Sequence, residues 1–406
     1  MFMLSYKFRI YPNKETRDTL DGQLKLCAFV YNKLLEEINS ATSKNLEITQ
    51  KDTQKLLIKL KKENPELDNV YSKALQMVNN MLWYNIRSIN SIKKRGKRFG
   101  RLRFKAENGI KIINYNQSGF RINLKSKKID FSKIGTVNVK LHRNVEGKVK
   151  GIIIKKEDWN WFVILQTDSE VHLLPKTGRN IGIDMGIKHI VVDSEGNMIE
   201  NPHFVERNIE RIKMIHRNLS RKNRNSKNYQ KEKQKLQKQY IKTNNRRRDF
   251  LHKLSRHYVN NFDIIAIENL DSRKLIEKGS NRTLHRNISD SAWRMYRNML
   301  SYKAERAGRQ LVIVDPKDTS QTCSRCGSVN GKEDRLHLQN RTYYCKNCGF
   351  EADRDYNAAV NILRSGQGLP KAPLETVPLL RIIPYEYINS GKALSMNKET
   401  NVFRHR

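Results

Sequence analysis

Four cysteines stand in two Cys-x-x-Cys pairs, Cys323 with Cys326 and Cys345 with Cys348; 18 residues separate the pairs, and a glycine (Gly327, Gly349) follows each directly. Two such knuckles let four thiolates close on one tetrahedral ion with no open position, so they imply one structural Zn²⁺. The carboxylates imply different chemistry. Asp184 lies between Ile183 and Met185 in an apolar run, and Glu268 closes the run Ile264-Ile265-Ala266-Ile267. An ionised carboxylate in such a place is costly unless a cation accompanies it. A lone acid in a strand is ordinarily a strand-end or capping residue. The combination points to metal-dependent hydrolysis, because in-line attack on a phosphodiester calls for two divalent ions about 3.5–4 Å apart, held by carboxylates. A third acid is expected from DRDYNAAVNIL, where Ala358, Ala359 and Ile362 mark the inward face of a helix; Asp355 is the choice and Asp353 the alternative. Oxygen-only ligands that leave room for water and phosphate suit Mg²⁺, here two ions. Asp315 and Asp193 read as strand-end or turn residues.

Elements must bring these residues together. At the start of the chain Phe2, Leu4, Tyr6, Phe8 and Ile10 alternate with polar neighbours, a half-buried strand that Pro12 ends. Helical periodicity follows in three stretches, the second from about Thr49 to Pro65, and predicts a helical domain over residues 13–95. After the basic, turn-rich KKRGKRFGRLRFK, short alternating runs from IKIINYN to WFVILQ predict a β-rich module. The lone first strand has no partner among the helices, so it should pair with this module, with the helices as an insertion. Residues 180–200 read as three strands joined by tight turns. Two basic amphipathic helices within 205–258, separated near Arg224–Asn228, come next, then the strand FDIIAIENL, a helix from Ser289 to about Gly308 and the strand RQLVIVD. That order predicts an RNase H-like α/β core over 179–316 and 352–365. The ribbon would occupy 317–351, with KEDRLHLQNRTYY as its hairpin. The Pro-containing stretch 366–406 has no period and is expected to be poorly ordered.

Lys and Arg number 79 against 41 Asp and Glu, a net charge of +38. Such self-repulsion is best read as a complement to a polyanion, and nucleic acid leads. Between Glu206 and Arg256 alone there are 18 Lys and Arg against four acids, about +14, too unbalanced for a helix stabilised by its own ion pairs. No long apolar run or signal-peptide pattern is present, so no membrane partner and a cytoplasmic, nucleoid-associated location are expected. Cys27, in LKLCAFVY, reads as a small buried hydrophobe. Phe99, Phe104 and Tyr115 could stack on bases, although core packing is the commoner use.

In order, GIDMGIKHIVV, IAIENL, the four-cysteine ribbon and DRDYNAAVNIL resemble the three RuvC motifs and inserted zinc ribbon of the TnpB (OrfB) family of transposon-encoded nucleases, relatives of the miniature type V CRISPR effectors. YKFRIYPNKE and DPKDTSQTCSRCG agree, and the resemblance runs to about Arg364. It implies a multidomain α+β architecture: a split β-barrel wedge domain (1–12 and 96–178), an inserted helical recognition domain, and a RuvC domain with the ribbon inserted. The family's catalytic acids fall on Asp184, Glu268 and Asp355, none substituted. The resemblance further implies a guide RNA and a double-stranded target DNA with a short flanking motif; two-metal hydrolysis with a leaving 3′ oxygen is expected to give a 5′ phosphate. One chain on one guide RNA is expected, with a dimer as the alternative. The rival readings are a miniature CRISPR effector, a guided regulator that does not cut, and a guide-free RuvC nuclease or transposase.

Overall fold

The alternation at the N-terminus produces β1 (Phe2–Tyr11), and Asn13, whose side chain accepts from Thr16 N, caps the long helix α1 (Lys14–Ser43) that follows. A capping box at Thr49 and Asp52 starts α2 (Gln50–Glu63), and α3 (Ser72–Lys94) completes the helical stretch. The computed structural model describes residues 2–96, 100–171, 173–278, 281–331, 335–336, 340–368 and 378–390. The chain divides into two units, Met1–Val171 and His172–Arg406. No described helix is long and apolar enough to cross a membrane.

In the first unit, six further strands follow the helices: β2 (Ile112–Asn116), β3 (Phe120–Asn123), β4 (Lys128–Phe131), β5 (Gly135–Lys140), β6 (Lys148–Glu157) and β7 (Asn160–Ser169). They form one antiparallel sheet in the order β2-β6-β7-β1-β5-β4-β3. The first strand thus sits mid-sheet, between strands more than 120 residues later in the chain, and the helices interrupt the sheet. Among the described residues, hydrogen bonding leaves β2 and β3 as the ends of this sheet. The helices also share one core with the sheet: Leu20, Leu34, Ala74 and Leu82 belong to the same buried cluster as Phe8, Ile152 and Leu165. The apolar stripes of α1 and α3 have no separate core to fill, so they bury against the strands.

The second unit opens with β8 (Asn180–Asp184), β9 (His189–Asp193) and β10 (Asn197–Glu200), antiparallel neighbours. Helices α4 (Ile209–Ser220) and α5 (Lys227–Asn261) pair through Ile212, Ile215 and Leu236. The strand β11 (Ile264–Glu268) then enters parallel to β8, followed by α6 (Ser272–Lys278), α7 (Arg282–Ser291), α8 (Trp293–Ala307) and β12 (Gln310–Val314), which is parallel to β11. The single helix expected from Ser289 is broken. Ala292 takes left-handed dihedrals (φ 51°, ψ 39°), and the residues around the break are buried: Asp290 accepts from Val205 N and pairs with Arg247, while Trp293 donates to Gly186 O.

The ribbon contributes β13 (Thr342–Tyr344) and β14 (Glu351–Asp353), and α9 (Arg354–Gln367) follows at once. Among the described residues the ribbon's hairpin is β13 with β14, around the second cysteine pair; residues 332–334 and 337–339 of KEDRLHLQNRTYY lie outside the described residues. The tail also differs from expectation. Over 378–390 it forms β15 (Arg381–Ile383), parallel to β10 and completing the order β12-β11-β8-β9-β10-β15, and α10 (Tyr385–Asn389). Ile383 and Ile388 are buried in the unit's core, an attraction that a three-residue strand and a five-residue helix are too short to reveal as periodicity. Residues 369–377 and 391–406 lie outside the described residues.

Candidate active site and cysteine cluster

Parallel pairing decides where the acids go. Ile183 is in register with Ile267, so Asp184 and Glu268, the next residues, end neighbouring strands at the same edge of the sheet. Adjacent strands lie about 4.8 Å apart. The third acid arrives on α9, which lies on β8 with no room to spare: a Cβ on Gly182 would stand 2.1 Å from Ala359 O and 2.6 Å from Leu363 N. Gly366 meets Ala266 on β11 in the same way. With the helix seated there, the charge of Asp355, in its first turn, acts on both Asp184 and Glu268.

Burial raises the Asp184 carboxyl well above the usual carboxylate range, and the charges of Glu268 and Asp355 raise it further; Arg354 and the Met185 N–H oppose them. Burial raises Glu268 too, against the hydrogen bond from Thr319; Asp315 and Asp355 add repulsion. Asp353 and Asp355 differ sharply. Asp353 is the N-cap of α9, accepting from Asp355 N (2.9 Å) and Tyr356 N (3.0 Å). Asp355 instead meets guanidinium groups: Arg354 at 2.9 Å and Arg341, from the ribbon, at 3.4 Å. Asp193 is saturated by Glu195 N, Asn197 and Tyr258 OH, and Asp315 accepts from Lys317 N at the end of β12. Both are turn or strand-end residues, although the charge of Asp315 reaches Glu268.

The repulsion that raises Asp184 and Glu268, together with oxygen-only donors, fits a divalent cation, whose charge would offset that repulsion. Among the described residues, the four cysteines form the one cluster whose ligand atoms all lie within 4.8 Å of one another, so the carboxylates are more widely spread. The thiols fit zinc closely. Cys323 Sγ and Cys348 Sγ are 3.7 Å apart, Cys326 Sγ and Cys345 Sγ 3.6 Å. A tetrahedron with Zn–S bonds of about 2.3 Å has edges of about 3.8 Å. Gly327 (φ 79°) and Gly349 (φ 66°) close the knuckles in left-handed turns, each N–H donating to the first cysteine's carbonyl. Cys27 is buried and apart, its thiol pushed up to about 12. Tyr115 is buried in the first unit's core against Tyr71, Phe104 is exposed, and Phe99 lies outside the described residues.

Reasoning from sequence missed Arg341, Arg354 and Thr319. Arg354 stands between the two candidate acids and Thr319 four residues before a cysteine, but nothing in either position states what the side chain touches.

The second unit thus combines a six-stranded mixed sheet, in which Asp184 and Glu268 end neighbouring strands, with a four-thiol cluster that precedes α9. Comparison with known proteins goes further. Residues 163–278 match the OrfB model of IS605 elements, described as "Probable transposase"; residues 293–362 match "Cas12f1-like, TNB domain", and residues 1–46 match a "Helix-turn-helix domain" model, although β1 and α1 fill that stretch here. A Streptomyces pristinaespiralis protein named "Putative RNA-guided DNA endonuclease" is 32% identical over 370 residues, 89% of each chain. InsQ of Escherichia coli K12, similarly named, is 28% identical over 90% of this chain and 92% of its own. The fold is similar to that of Cas12f1 in a cryo-EM complex with guide RNA and target DNA, with a TM-score of 0.55 at 15% identity, covering 89% of this chain and 98% of that one. The chain belongs to the TnpB (OrfB) family.

Proposed function

We propose that the protein is a transposon-associated RNA-guided DNA endonuclease that cuts target DNA beside a short flanking motif, with Asp184, Glu268 and Asp355 as its catalytic acids. The observation that supports this best is the convergence of those acids from two strand ends and one helix start onto a single edge of the sheet. They would hold two Mg²⁺ ions, which when bound supply an activated water and charge stabilisation for the leaving 3′ oxygen. The chain's own contribution is to place three carboxylates on rigid elements, where burial resists the ionisation of Asp184 and Glu268. Asp353 is the alternative to Asp355; its Oδ1 caps α9 by accepting from Asp355 N and Tyr356 N. The four cysteines would hold one structural Zn²⁺. In domain terms, the first unit corresponds to a wedge domain with a helical recognition insert, and the second to a RuvC-like domain with its ribbon. The strand order, three antiparallel strands and then two parallel ones reached through helices, agrees with an RNase H-like core.

Guide RNA and target DNA are the proposed partners. Base pairing would read the sequence while the protein contacts backbone phosphates, in keeping with the +38 charge. The test is to express the protein with its native flanking DNA, purify it and sequence any nuclease-protected RNA. An RNA overlapping the 3′ end of the coding sequence is expected; repeat-spacer RNA would assign a CRISPR effector instead. No discrete RNA on folded protein would defeat the guided reading. Cutting by the wild type and not by Asp184→Ala, with RNA and DNA binding kept, would separate a nuclease from a guided regulator.

A further inference from the structure

The segment from Pro316 to Cys323 joins the carboxylate edge to the ribbon. Thr319 within it is buried, and its hydroxyl donates to Glu268 Oε1. Among the described residues Oε2 accepts no hydrogen bond, so one carboxylate oxygen is fixed and the other is left open. The backbone around Thr319 is gripped from both sides. From α9, Asn361 Nδ2 donates to Thr319 O (2.9 Å) and Thr322 O (2.7 Å), and Asn357 donates to Thr322 O and accepts from Ser324 N, both at 2.8 Å. Both amides are buried, on the same helix as Asp355. From the ribbon side, Gln321 pairs with the main chain of Leu336 through both ends of its amide (2.9 and 3.2 Å). Burying two asparagines this way is costly unless their bonds specify a position.

We infer that Thr319 is a positioning residue: it fixes the Glu268 carboxylate with Oε2 available to a divalent ion, and the Asn357–Asn361 clamp that seats the first zinc knuckle holds it in place. This rests on the proposal that Asp184, Glu268 and Asp355 form the metal site. Partners that orient a ligand from behind matter because a carboxylate free to rotate loses part of its affinity to the entropy of ordering.

The test is Mn²⁺ binding to the full-length protein, read by the electron paramagnetic resonance of free and bound ion, with zinc content and melting temperature recorded for every variant. Thr319→Val, which keeps the shape and removes the donor, should weaken Mn²⁺ binding about tenfold, and Thr319→Ser should restore it to within about twofold of wild type. Thr319→Ala substitutes for the valine variant if the latter does not fold. Unchanged binding in Thr319→Val, or equal loss in Thr319→Ser, would overturn the assignment. Asp184→Ala separates the two levels. If it binds Mn²⁺ as the wild type does, the carboxylate site itself is wrong; if it loses the ion while Thr319→Val keeps it, only the role of Thr319 is wrong.

Discussion

Asp353 and Asp355 are two positions apart, yet one carboxylate is spent on backbone N–H groups and the other faces two arginines. Neither outcome is written in DRD, because capping depends on where the helix starts. A second residue-scale case is Lys303, buried on α8, whose ammonium donates to His252 O and Ser255 Oγ on α5 (both 2.6 Å). Burial, aided by the charge of Arg256, lowers its pKa from 10.5 to about 7. Between those values the unfolded chain carries a proton that the folded chain does not, so stability rises with pH from about 7 toward 10.5 and the contribution is lost as pH falls through 7. Relative to Lys303→Met, the wild type should gain no more than about 1.4 kcal/mol per pH unit across that window. Denaturant melts of both proteins at pH 7, 8.5 and 10 check this, and parallel curves would contradict it.

At the scale of elements, the site depends on how closely α9 lies against β8. Gly182 sets that distance, since any side chain there would strike the helix backbone at Ala359 and Leu363. Gly182→Ala should therefore push α9 outward, cost about 1–3 kcal/mol as an overpacked contact, and carry Asp355 away from Asp184. The expected signature is a lower denaturant midpoint together with weaker Mn²⁺ binding; a variant as stable and as metal-competent as the wild type would show that α9 adjusts without consequence. Gly178→Ala, in open space though at φ 71°, is the control for backbone strain alone.

For the whole molecule, charge is the dominant property. With 79 cationic against 41 acidic side chains, polyanion binding should release many counterions. RNA affinity measured by filter binding should fall about a thousandfold between 50 and 200 mM salt if at least six phosphates are neutralised. A shallow slope would mean that the basic face of α4 and α5 is a solvated surface. The same surplus explains why i,i+3 pairs such as Lys213–Glu210 and Lys235–Glu232 are few along these helices.

The sequence alone determined what local chemistry and period can carry: the zinc-knuckle spacing, the apolar strands ending in Asp184 and Glu268, the basic helices, and the need for β1 to find distant partners. Tertiary structure alone decided the rest. Helix α9 seats on Gly182, Asp353 caps while Asp355 pairs with two arginines, Ala292 breaks a helix whose pattern looked continuous, and the 381–383 strand joins the sheet edge. The physical reason is common to all four. Each depends on contacts between residues far apart in the chain, in which sub-ångström clearance or a buried hydrogen bond outweighs local preference.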